Sequence, residues 1–467
     1  MQKRAIVIGS GLAGTVLAND LANQFDVLIL ERGPDTTYTT PTVRYEKRSL
    51  AAVPTFCYGV GGTTNLWHNG LVPLRPSDLS PGPFRDVVED SRRFMDPAAV
   101  ALHFSGPSFA EEHARLLGEM EHQVAEAGMA PGSLDCLVYP KTHGPVRPAP
   151  GVRIESDVEK IEFDREGDRV VAVRYKSAAG LQTRTADLVV VAAGSLGTPG
   201  VLQNLRPLFG RPSDGIGTGL IDHPMGFVGK VRFKKEFSRL AASLASTDRG
   251  SFAGQLPFRL PSPCGHFVGC AYLRPSVTMS NRLDVHKYKS RLGASRGTNR
   301  LRAAFDARLL HPDILSEIGA HLFGVRPPGD VYSILFVGEQ KRAGNRVFNE
   351  GEDLVVDWAI TEEELGSIRG MLAELEARLE PFVDDLVIQE EVDDSWLWSC
   401  AHHSGTTELG TDDASVVDVD LRMRGAHNVF VCDASVLQEH SYANTGLTIA
   451  QLALRLSDHL KAHEHSF

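Results

Sequence analysis

The first thirty residues carry the pattern that most narrows what this chain can fold into. An apolar run at residues 4–8 is followed at once by Gly9, Gly11 and Gly14, in the spacing Gly-x-Gly-x-x-Gly. A helical stretch and a second apolar run then end at Glu31. The first glycine allows a tight turn, the second lets the backbone approach a pyrophosphate, and the third lets helix and strand pack closely. The pattern predicts a βαβ unit that binds a dinucleotide.

The acidic residue at the end of this unit indicates which dinucleotide is favoured. Glu31 lies about 20 positions after the glycines, where an acid accepts hydrogen bonds from ribose hydroxyls. A free 2′-hydroxyl suits that contact, so NAD or FAD is favoured over NADP. The start of the helix also offers free N–H groups to the phosphates. The alternative is a glycine turn in an α/β domain without a nucleotide, which the strand–helix–strand context disfavours.

Composition sets the broad class of protein. A chain of 467 residues with 42% hydrophobic and 23% charged residues is typical of a globular protein of two or three domains. Its net charge of −11 argues against nucleic acid as a partner. The cysteines are scattered without Cys-x-x-Cys spacing, so we expect neither a disulfide framework nor a metal site. We also expect no signal peptide, no membrane span and a cytoplasmic location, because the first strand begins early and apolar runs are short.

The rest of the chain predicts helices around a second sheet. Residues 109–127 and 361–379 have helical apolar spacing, and the second helix begins with a capping box of Thr361 and Glu364. A last helix runs from about Leu447. Strand-like alternation in the middle of the chain favours an antiparallel sheet, at 229–233, 331–337 and 354–358. The basic stretch 286–302 is interpreted as a solvated segment, with a lid or a docking face as the alternative.

Six further stretches of the chain carry recognisable sequence motifs. They are 61–64 with Trp67 and Asn69, 193–199, 221–224, 402–406, 433–435 and 444–448. Together with the first glycine turn, these stretches resemble the glucose–methanol–choline (GMC) family of flavin oxidoreductases. The C-terminal stretches are the most specific of them.

The resemblance implies an α/β fold with two domains. One is a Rossmann-like FAD-binding domain assembled from residues 1–75, 150–225 and 400–467. The other is a substrate domain built on an antiparallel sheet flanked by helices, from residues 76–149 and 226–399.

The resemblance also implies that the catalytic pair falls on His402 and Asn444. Oxidation of a CH–OH group sends a hydride to flavin N5 and needs a base whose pKa lies near the working pH, which favours histidine. Asn444 can both donate to and accept from the substrate oxygen. His403 would line the substrate pocket beside this pair, whereas His223 and His440 are weaker candidates and His223 is expected to shape a turn. The alternatives are a structural histidine at 402 and a helix cap at 444.

Residues throughout the FAD domain are expected to contact the cofactor. Val158 would hold the adenine through its backbone, and Asp433 with Ser435 would lie along the pyrophosphate. The last helix would direct its N-terminus at the flavin. Some relatives attach FAD through a histidine at the position of Leu66, so we expect non-covalent FAD here. The full set is Gly9, Gly11, Leu12, Ala13, Gly14, Glu31, Arg32, Gly61, Gly62, Thr63, Asn65, Trp67, Asn69, Val158, Ala193, Gly194, Asp433, Ala434, Thr445 and Thr448.

The expected function is therefore FAD-dependent oxidation of a sugar, a glycoside or another alcohol, with oxygen or another acceptor taking the electrons. A lyase of the same fold, like the hydroxynitrile lyases, with a non-redox flavin, is the main alternative. A flavoprotein that has become a binding module is a third possibility, which the presence of both His402 and Asn444 disfavours.

Overall fold

A computed structural model describes residues 2–46, 55–213, 215–294, 306–323, 329–351 and 353–467. Its α-helices, in chain order, are α1 (Leu12–Leu21), α2 (Pro83–Ser91), α3 (Met95–Ala101), α4 (Phe109–Glu126), α5 (Gly194–Leu205), α6 (Ser238–Ala245), α7 (Leu283–Ala294), α8 (Pro312–Phe323), α9 (Glu362–Leu379) and α10 (Thr445–Ala462). Among these residues, no helix combines the length and the apolar character needed to cross a membrane.

The strands of the described residues form one parallel sheet, three antiparallel sheets and one mixed sheet. In chain order they are β1 (Arg4–Ile8), β2 (Asp26–Leu30), β3 (Val43–Tyr45), β4 (Leu137–Pro140), β5 (Arg153–Glu155), β6 (Glu159–Glu166), β7 (Arg169–Ser177), β8 (Gly180–Thr185), β9 (Leu188–Val191), β10 (Pro224–Phe233), β11 (Thr247–Asp248), β12 (Phe252–Gln255), β13 (Phe258–Pro261), β14 (Val268–Pro275), β15 (Val331–Gly338), β16 (Arg346–Glu350), β17 (Asp353–Asp357), β18 (Val383–Ile388), β19 (Trp398–Ser399) and β20 (Val429–Val431).

The parallel sheet organises the N-terminal and C-terminal parts of the chain. Its five strands lie in the order β20-β9-β1-β2-β5, and every neighbouring pair is parallel. Strand β9 is buried along its whole length, as expected for a parallel strand that is covered on both faces. The carboxyl ends of β1, β2 and β9 share one edge, which is where open α/β sheets bind their ligands. Gly9, Glu31 and Ala192 follow directly after these ends.

A second, antiparallel sheet supplies the other wall of the molecule. Its main path is β13-β14-β15-β10-β18, and the short strand β19 pairs with the first residues of β10. Helix α9 packs against β13 and β18. Because β10 begins at Pro224 and β19 ends at Ser399, this pairing brings the segment around His223 next to the segment around His402. The combination of a Rossmann-like parallel sheet with an antiparallel second sheet confirms the predicted fold class.

The helix predictions are confirmed with small changes at the ends. Helix α9 begins with the predicted capping box, in which Thr361 Oγ1 accepts the Glu364 N–H at 3.2 Å and Glu364 Oε2 accepts the Thr361 N–H at 2.7 Å. Helix α10 begins at Thr445, two residues before the expected start, because Asn444 occupies its N-cap position. In the basic stretch, Lys287 lies on α7, whereas the three arginines at 296, 300 and 302 fall outside the described residues.

The predicted domain boundaries stay a prediction, but the strands divide in an informative way. All five strands of the parallel sheet come from the three segments assigned to the FAD domain. One exception to a clean division is β3, which pairs in parallel with β17 from the middle of the chain. This pairing carries Tyr45 toward the site described below.

Candidate active site

The first glycine turn is fixed by close backbone packing. Gly9 has a φ of +105°, and a Cβ there would lie 2.5 Å from the Ala192 carbonyl oxygen. A Cβ on Gly14 would lie 2.1 Å from the Gly9 carbonyl oxygen. By contrast, a Cβ on Gly11 would meet no atom within 4 Å. Gly9 and Gly14 are therefore required by the protein's own packing, and Gly11 leaves an open face at the edge of the parallel sheet.

Glu31 binds the protein's own donors in this structure. Its buried carboxylate accepts from the Ser10 N–H at 2.9 Å and the Ser10 hydroxyl at 2.6 Å through Oε2. Through Oε1 it accepts from the Gly33 N–H at 2.8 Å and the Gly59 N–H at 3.0 Å. Four hydrogen bonds use the acceptor sites that a carboxylate offers. Glu31 thus ties the first glycine turn to the second glycine segment, and a ribose hydroxyl would have to share these acceptors.

The second glycine segment packs directly on the first. A Cβ on Gly62 would lie 2.8 Å from Gly11 Cα, and the Gly61 N–H donates to the Ser10 carbonyl at 3.0 Å. Gly61 has a φ of +96°, which favours glycine. Asn65 stabilises the turn by donating to the Gly62 carbonyl at 2.8 Å. The two predicted cofactor segments therefore form one continuous surface.

Two residues that are predicted to contact the cofactor already form contacts within the protein. The Arg32 guanidinium lies 4.4 Å from the centre of the Tyr58 ring and donates to its hydroxyl at 3.0 Å. The Val158 N–H donates to the Glu31 carbonyl at 2.9 Å. This N–H is not free for adenine, so an adenine contact at Val158 would fall to its carbonyl group.

Two helices begin side by side at this surface. A Cβ on Gly446, in the first turn of α10, would lie 3.2 Å from the Trp67 ring and 3.5 Å from Leu12 Cδ1, at the start of α1. The N-cap residues, Gly11 and Asn444, form no side-chain cap hydrogen bond. Helix starts of this kind offer N–H groups and partial positive charge to an anion or an electron-rich ring.

Several polar side chains at predicted cofactor positions are buried without a partner. Among the described residues, the unpaired atoms include Asn69 Oδ1, Ser435 Oγ and Thr448 Oγ1. Burial of a polar group without a hydrogen bond is costly, so such atoms indicate a polar ligand that completes the site. Together with the open face at Gly11 and the two uncapped helices, they fit a dinucleotide such as FAD.

Asp433 accepts hydrogen bonds from the protein itself, and its predicted place along the pyrophosphate stays a prediction. Its Oδ2 accepts from the Gly194 N–H at 2.8 Å and from the Thr198 hydroxyl at 2.5 Å, and its Oδ1 accepts from the Ser435 N–H at 2.8 Å. Burial raises the pKa of this carboxyl group. Asp433 joins the C-terminal block to the start of α5, and this geometry gives no support to a direct contact of its carboxylate with the pyrophosphate.

A cluster of histidines surrounds the predicted base. His402 Nδ1 lies 3.0 Å from His223 Nδ1, and the two rings are nearly perpendicular. The His440 ring centre lies 4.0 Å from that of His223. The His402 N–H donates to Asp222 Oδ1 at 2.9 Å, which fixes the backbone of this loop. His402 is partly exposed, whereas His223 and His440 are buried, and the Nε2 atoms of both buried rings have no hydrogen-bond partner.

The cluster consists of neutral rings at ordinary pH. Burial lowers the pKa of His402, and nearby Asp222 opposes this effect only in part. Burial also lowers the pKa of His223 strongly and that of His440 to about 4. Between two neutral rings, one Nδ1 must donate and the other must accept. When His402 donates, its Nε2 carries a lone pair and can accept a proton.

His403 forms its contacts within the protein, and its predicted place in the substrate pocket stays a prediction. Its ring is buried, with Nε2 bonded to the Tyr45 hydroxyl at 2.8 Å and 3.6 Å from Asp222 Oδ2. Burial and the Asp222 charge raise the pKa of Tyr45 to about 12. The Nε2 atom of His403 is therefore engaged inside the protein.

Asn444 combines a helix-start position with a side chain that does not cap the helix. Its Nδ2 donates to the Gly70 carbonyl at 3.1 Å, and its side chain is partly exposed. Asn444 follows a turn in which the Ala443 N–H donates to the His440 carbonyl at 3.0 Å. The cap explanation therefore accounts for the position of Asn444 but not for the use of its amide group.

Three residues near the predicted base have contacts that their sequence positions did not indicate. They are His223, which was expected to shape a turn, and Tyr45 and Asp222, for which no role was predicted. His223 does not merely shape a turn, because its ring is the partner of His402. The stretch 221–224 carried the signal, since a recognised motif contained both an acid and a histidine. The sequence alone does not reveal that β10 pairs with β19, and this pairing brings His223 next to His402.

Comparisons with known proteins agree with this architecture. Two profiles of the GMC oxidoreductase family match residues 145–225 and 356–453, and a profile of NAD(P)-binding Rossmann-like domains matches residues 7–68. An uncharacterized GMC-type oxidoreductase of Mycobacterium tuberculosis is 24% identical, over 97% of this chain and 75% of that protein. The chain belongs to the GMC oxidoreductase family. The family is one of oxidoreductases, and FAD is the cofactor that the site described above fits.

One further relative is similar in sequence, and two solved structures share the fold. Pyridoxine 4-oxidase of Microbacterium luteolum is 27% identical over 298 residues, which are 58% of this chain and 51% of that protein. The match therefore spans about half the length of that relative. The crystal structure of pyridoxine 4-oxidase from Mesorbium loti superposes with a TM-score of 0.58 at 16% identity, over 99% of this chain and 100% of that chain. A formate oxidase variant from Aspergillus oryzae RIB40 gives the same TM-score and identity, over 100% of this chain and 99% of that chain.

Proposed function

We propose that this GMC oxidoreductase oxidises a CH–OH group of a small alcohol to a carbonyl group, with His402 as the base. The observation that carries the proposal is the Nδ1–Nδ1 pair of His402 and His223 at 3.0 Å. This pair occupies the inner nitrogen of His402 and directs its chemistry to the outer one. The ring is partly exposed and its pKa is lowered, so it is present as a neutral base at ordinary pH.

The proton and the hydride leave the substrate by different routes. The hydroxyl proton passes to His402 Nε2, and charge develops on the substrate oxygen as the carbonyl forms. FAD, when bound, supplies the acceptor for the hydride from the same carbon. His223 stabilises the charged His402 ring only weakly, because its own environment disfavours charge. The proton on His402 is therefore easily passed on to solvent or to a later step.

Asn444 is proposed to hold the substrate oxygen. One of its N–H groups is bonded to the Gly70 carbonyl, which fixes the amide plane. The second N–H and the amide oxygen remain as groups of the right kind for a substrate hydroxyl. The uncapped start of α10, which follows directly, adds favourable partial positive charge, worth on the order of 1 kcal/mol for a negative group placed there.

The substrate class rests on weaker support than the reaction. Sugars, glycosides and other small alcohols are candidates, and the name of one relative makes pyridoxine a compound to include in the first screen. Several relatives are named oxidases, which favours oxygen among the electron acceptors. Leu66 stands where a covalent attachment would need histidine, so we propose that FAD is released when the protein is denatured.

The test is anaerobic flavin reduction followed by stopped flow with a substrate found in the screen. His402→Ala should slow reduction by about 10²- to 10⁴-fold, because the base is lost, while FAD content stays unchanged. Asn444→Ala should slow reduction without loss of FAD. His122→Ala is the matched control, because that histidine is on the surface with 73% of its side chain exposed.

Two results would contradict the proposal. Reduction of the His402→Ala variant at the wild-type rate would remove His402 from the chemistry. A substrate that is consumed without any bleaching of the flavin would indicate the lyase alternative.

A further inference from the structure

A set of soft metal ligands lies around the inner side of His402. One ligand atom from each of His223, Cys400 and His402 falls within 4.8 Å of the other two. The Cys400 sulfur also lies 3.7 Å from the Met225 sulfur. Two imidazoles, a thiol and a thioether are thus gathered at one place, although the spacing of the cysteines in the sequence gave no hint of a metal site.

Two neighbouring segments place these four residues. His223 directly precedes β10, and Met225 is the second residue of that strand. Cys400 and His402 follow β19, and Ala401 between them has a φ of +62°, so a bend of the backbone presents His402 beside Cys400. The two segments are held together by pairing of Pro224 with Ser399 and by the Cys400 N–H, which donates to the His223 carbonyl at 3.1 Å.

The nitrogen–nitrogen and sulfur–sulfur distances are close to those that a tetrahedral metal ion requires. With bonds of about 2.0 Å to nitrogen and about 2.3 Å to sulfur, two nitrogens are roughly 3.3 Å apart and two sulfurs roughly 3.7 Å apart. The observed separations are 3.0 Å for the two Nδ1 atoms and 3.7 Å for the two sulfurs. The Cys400 sulfur lies within 4.8 Å of a ligand nitrogen of each histidine, compared with roughly 3.5 Å in a tetrahedral site. Metal binding would therefore need the sulfur and the nitrogens to approach by up to about 1.3 Å.

We propose that His223, Cys400 and His402, with Met225 as a weak fourth ligand, bind a monovalent copper ion. Two imidazoles with a thiolate and a distant thioether are a ligand set that suits copper, and the thioether is a poor ligand for zinc. The Cys400 thiol gives up its proton to solvent on binding, as coordinating thiols do, and copper keeps its oxidation state throughout. Cys400 and His402 are partly exposed, so the ion can enter from the substrate side.

Copper at this place withdraws His402 from catalysis, a consequence that rests on the proposed function. A metal on Nδ1 leaves the proton of the neutral ring on Nε2. That nitrogen then donates a hydrogen bond and cannot accept the substrate proton. The binding site itself does not depend on which reaction the enzyme performs.

The test uses the FAD-loaded enzyme under anaerobic conditions with a Cys264→Ser background, because Cys264 is an exposed thiol that could bind copper on its own. The protein is dialysed against monovalent copper buffered by a chelator, and copper and FAD per chain are measured. We expect about one copper ion per chain in the background variant. Adding Cys400→Ser should lower retention at least tenfold at the same free copper. Adding Met225→Leu should weaken the retention of copper and leave that of zinc unchanged.

The outcomes separate this proposal from the proposed function. Equal copper retention with and without Cys400→Ser would overturn the site. If the Cys400 variant fails to fold, His223→Ala takes its place, and unchanged copper retention in that variant would overturn the site. Flavin reduction by substrate in the Cys264→Ser enzyme should fall in proportion to bound copper. Bound copper with unchanged flavin reduction would overturn the claim that the ion withdraws His402, while copper binding that is lost with Cys400 would still support the site.

Discussion

The glycine turn at residues 9–14 and the histidine cluster at the opposite wall of the site are held by different kinds of contact. In the turn, backbone atoms lie so close together that they leave no room for a side chain. A Cβ on Gly14, for example, would lie 2.1 Å from the Gly9 carbonyl oxygen. In the cluster, the contacts join side chains, such as His402 with His223 and Tyr45 with His403. The difference teaches that the turn is sensitive to added volume, whereas the cluster is sensitive to the identity of its atoms.

The largest expected effect tests the volume side of this comparison. Gly14→Ala places a methyl group 2.1 Å from a backbone oxygen, so we expect the free energy of unfolding to fall by about 3 kcal/mol and FAD to be lost. Gly11→Ala meets no protein atom within 4 Å, and the φ of Gly11 is −64°, which any residue adopts. This variant should keep its stability and bind FAD at least tenfold more weakly, since the methyl group would face the pyrophosphate.

Urea unfolding of FAD-free protein and titration with FAD measure the two quantities separately. Normal FAD affinity in Gly11→Ala would mean that the pyrophosphate does not pass over this turn.

The second prediction tests the identity of an atom at nearly constant volume. His223→Phe keeps a ring but removes the nitrogen that pairs with His402 Nδ1. Loss of this bond should slow flavin reduction roughly tenfold, because the tautomer of His402 is no longer fixed. His440→Phe is the matched control, since the described geometry gives that ring a contact with His223 but no hydrogen bond with His402, and it should have a smaller effect. Equal effects of both variants would indicate that packing, and not tautomer selection, is what His223 provides.

The third prediction concerns the pH dependence of the base. Asp222 raises the pKa of His402 against the effect of burial, so Asp222→Asn should lower that pKa. The active base is the neutral ring, and flavin reduction rises with pH through the pKa of His402. The acid limb of the rate profile should therefore move to lower pH in Asp222→Asn. A limb that stays in place, with FAD content unchanged, would mean that His402 does not set the profile.

The smallest effect is expected at the neighbouring histidine. Tyr45→Phe removes the 2.8 Å bond to His403 and should cost about 1 kcal/mol of stability. Flavin reduction should stay within about twofold of the wild type, because His403 is engaged inside the protein. A tenfold slower reduction at unchanged FAD content would support a place for His403 in the substrate pocket. It would also weaken the contrast between His402 and His403.

Much of the scaffold could be predicted because local physics encodes it. The spacing of Gly9, Gly11 and Gly14 requires a tight turn wherever it follows a buried strand, and Thr361 with Glu364 specifies the start of a helix without any distant partner. The parallel sheet followed from apolar runs that could only be buried. Resemblance to the GMC family then supplied His402 and Asn444, which no local pattern would have distinguished from a structural histidine and a helix cap.

Only the tertiary structure decided which side chains act together. Tyr45, Asp222, His402 and His440 are far apart in the sequence, and no periodicity or capping rule links positions at such distances. Their meeting depends on β3 joining β17 and on β10 joining β19, two pairings that bury backbone groups and fix the register of the side chains. The sequence by itself therefore determined the nucleotide-binding turn, while the partner of the base, the burial that keeps it neutral and the soft ligands behind it were set by long-range strand pairing.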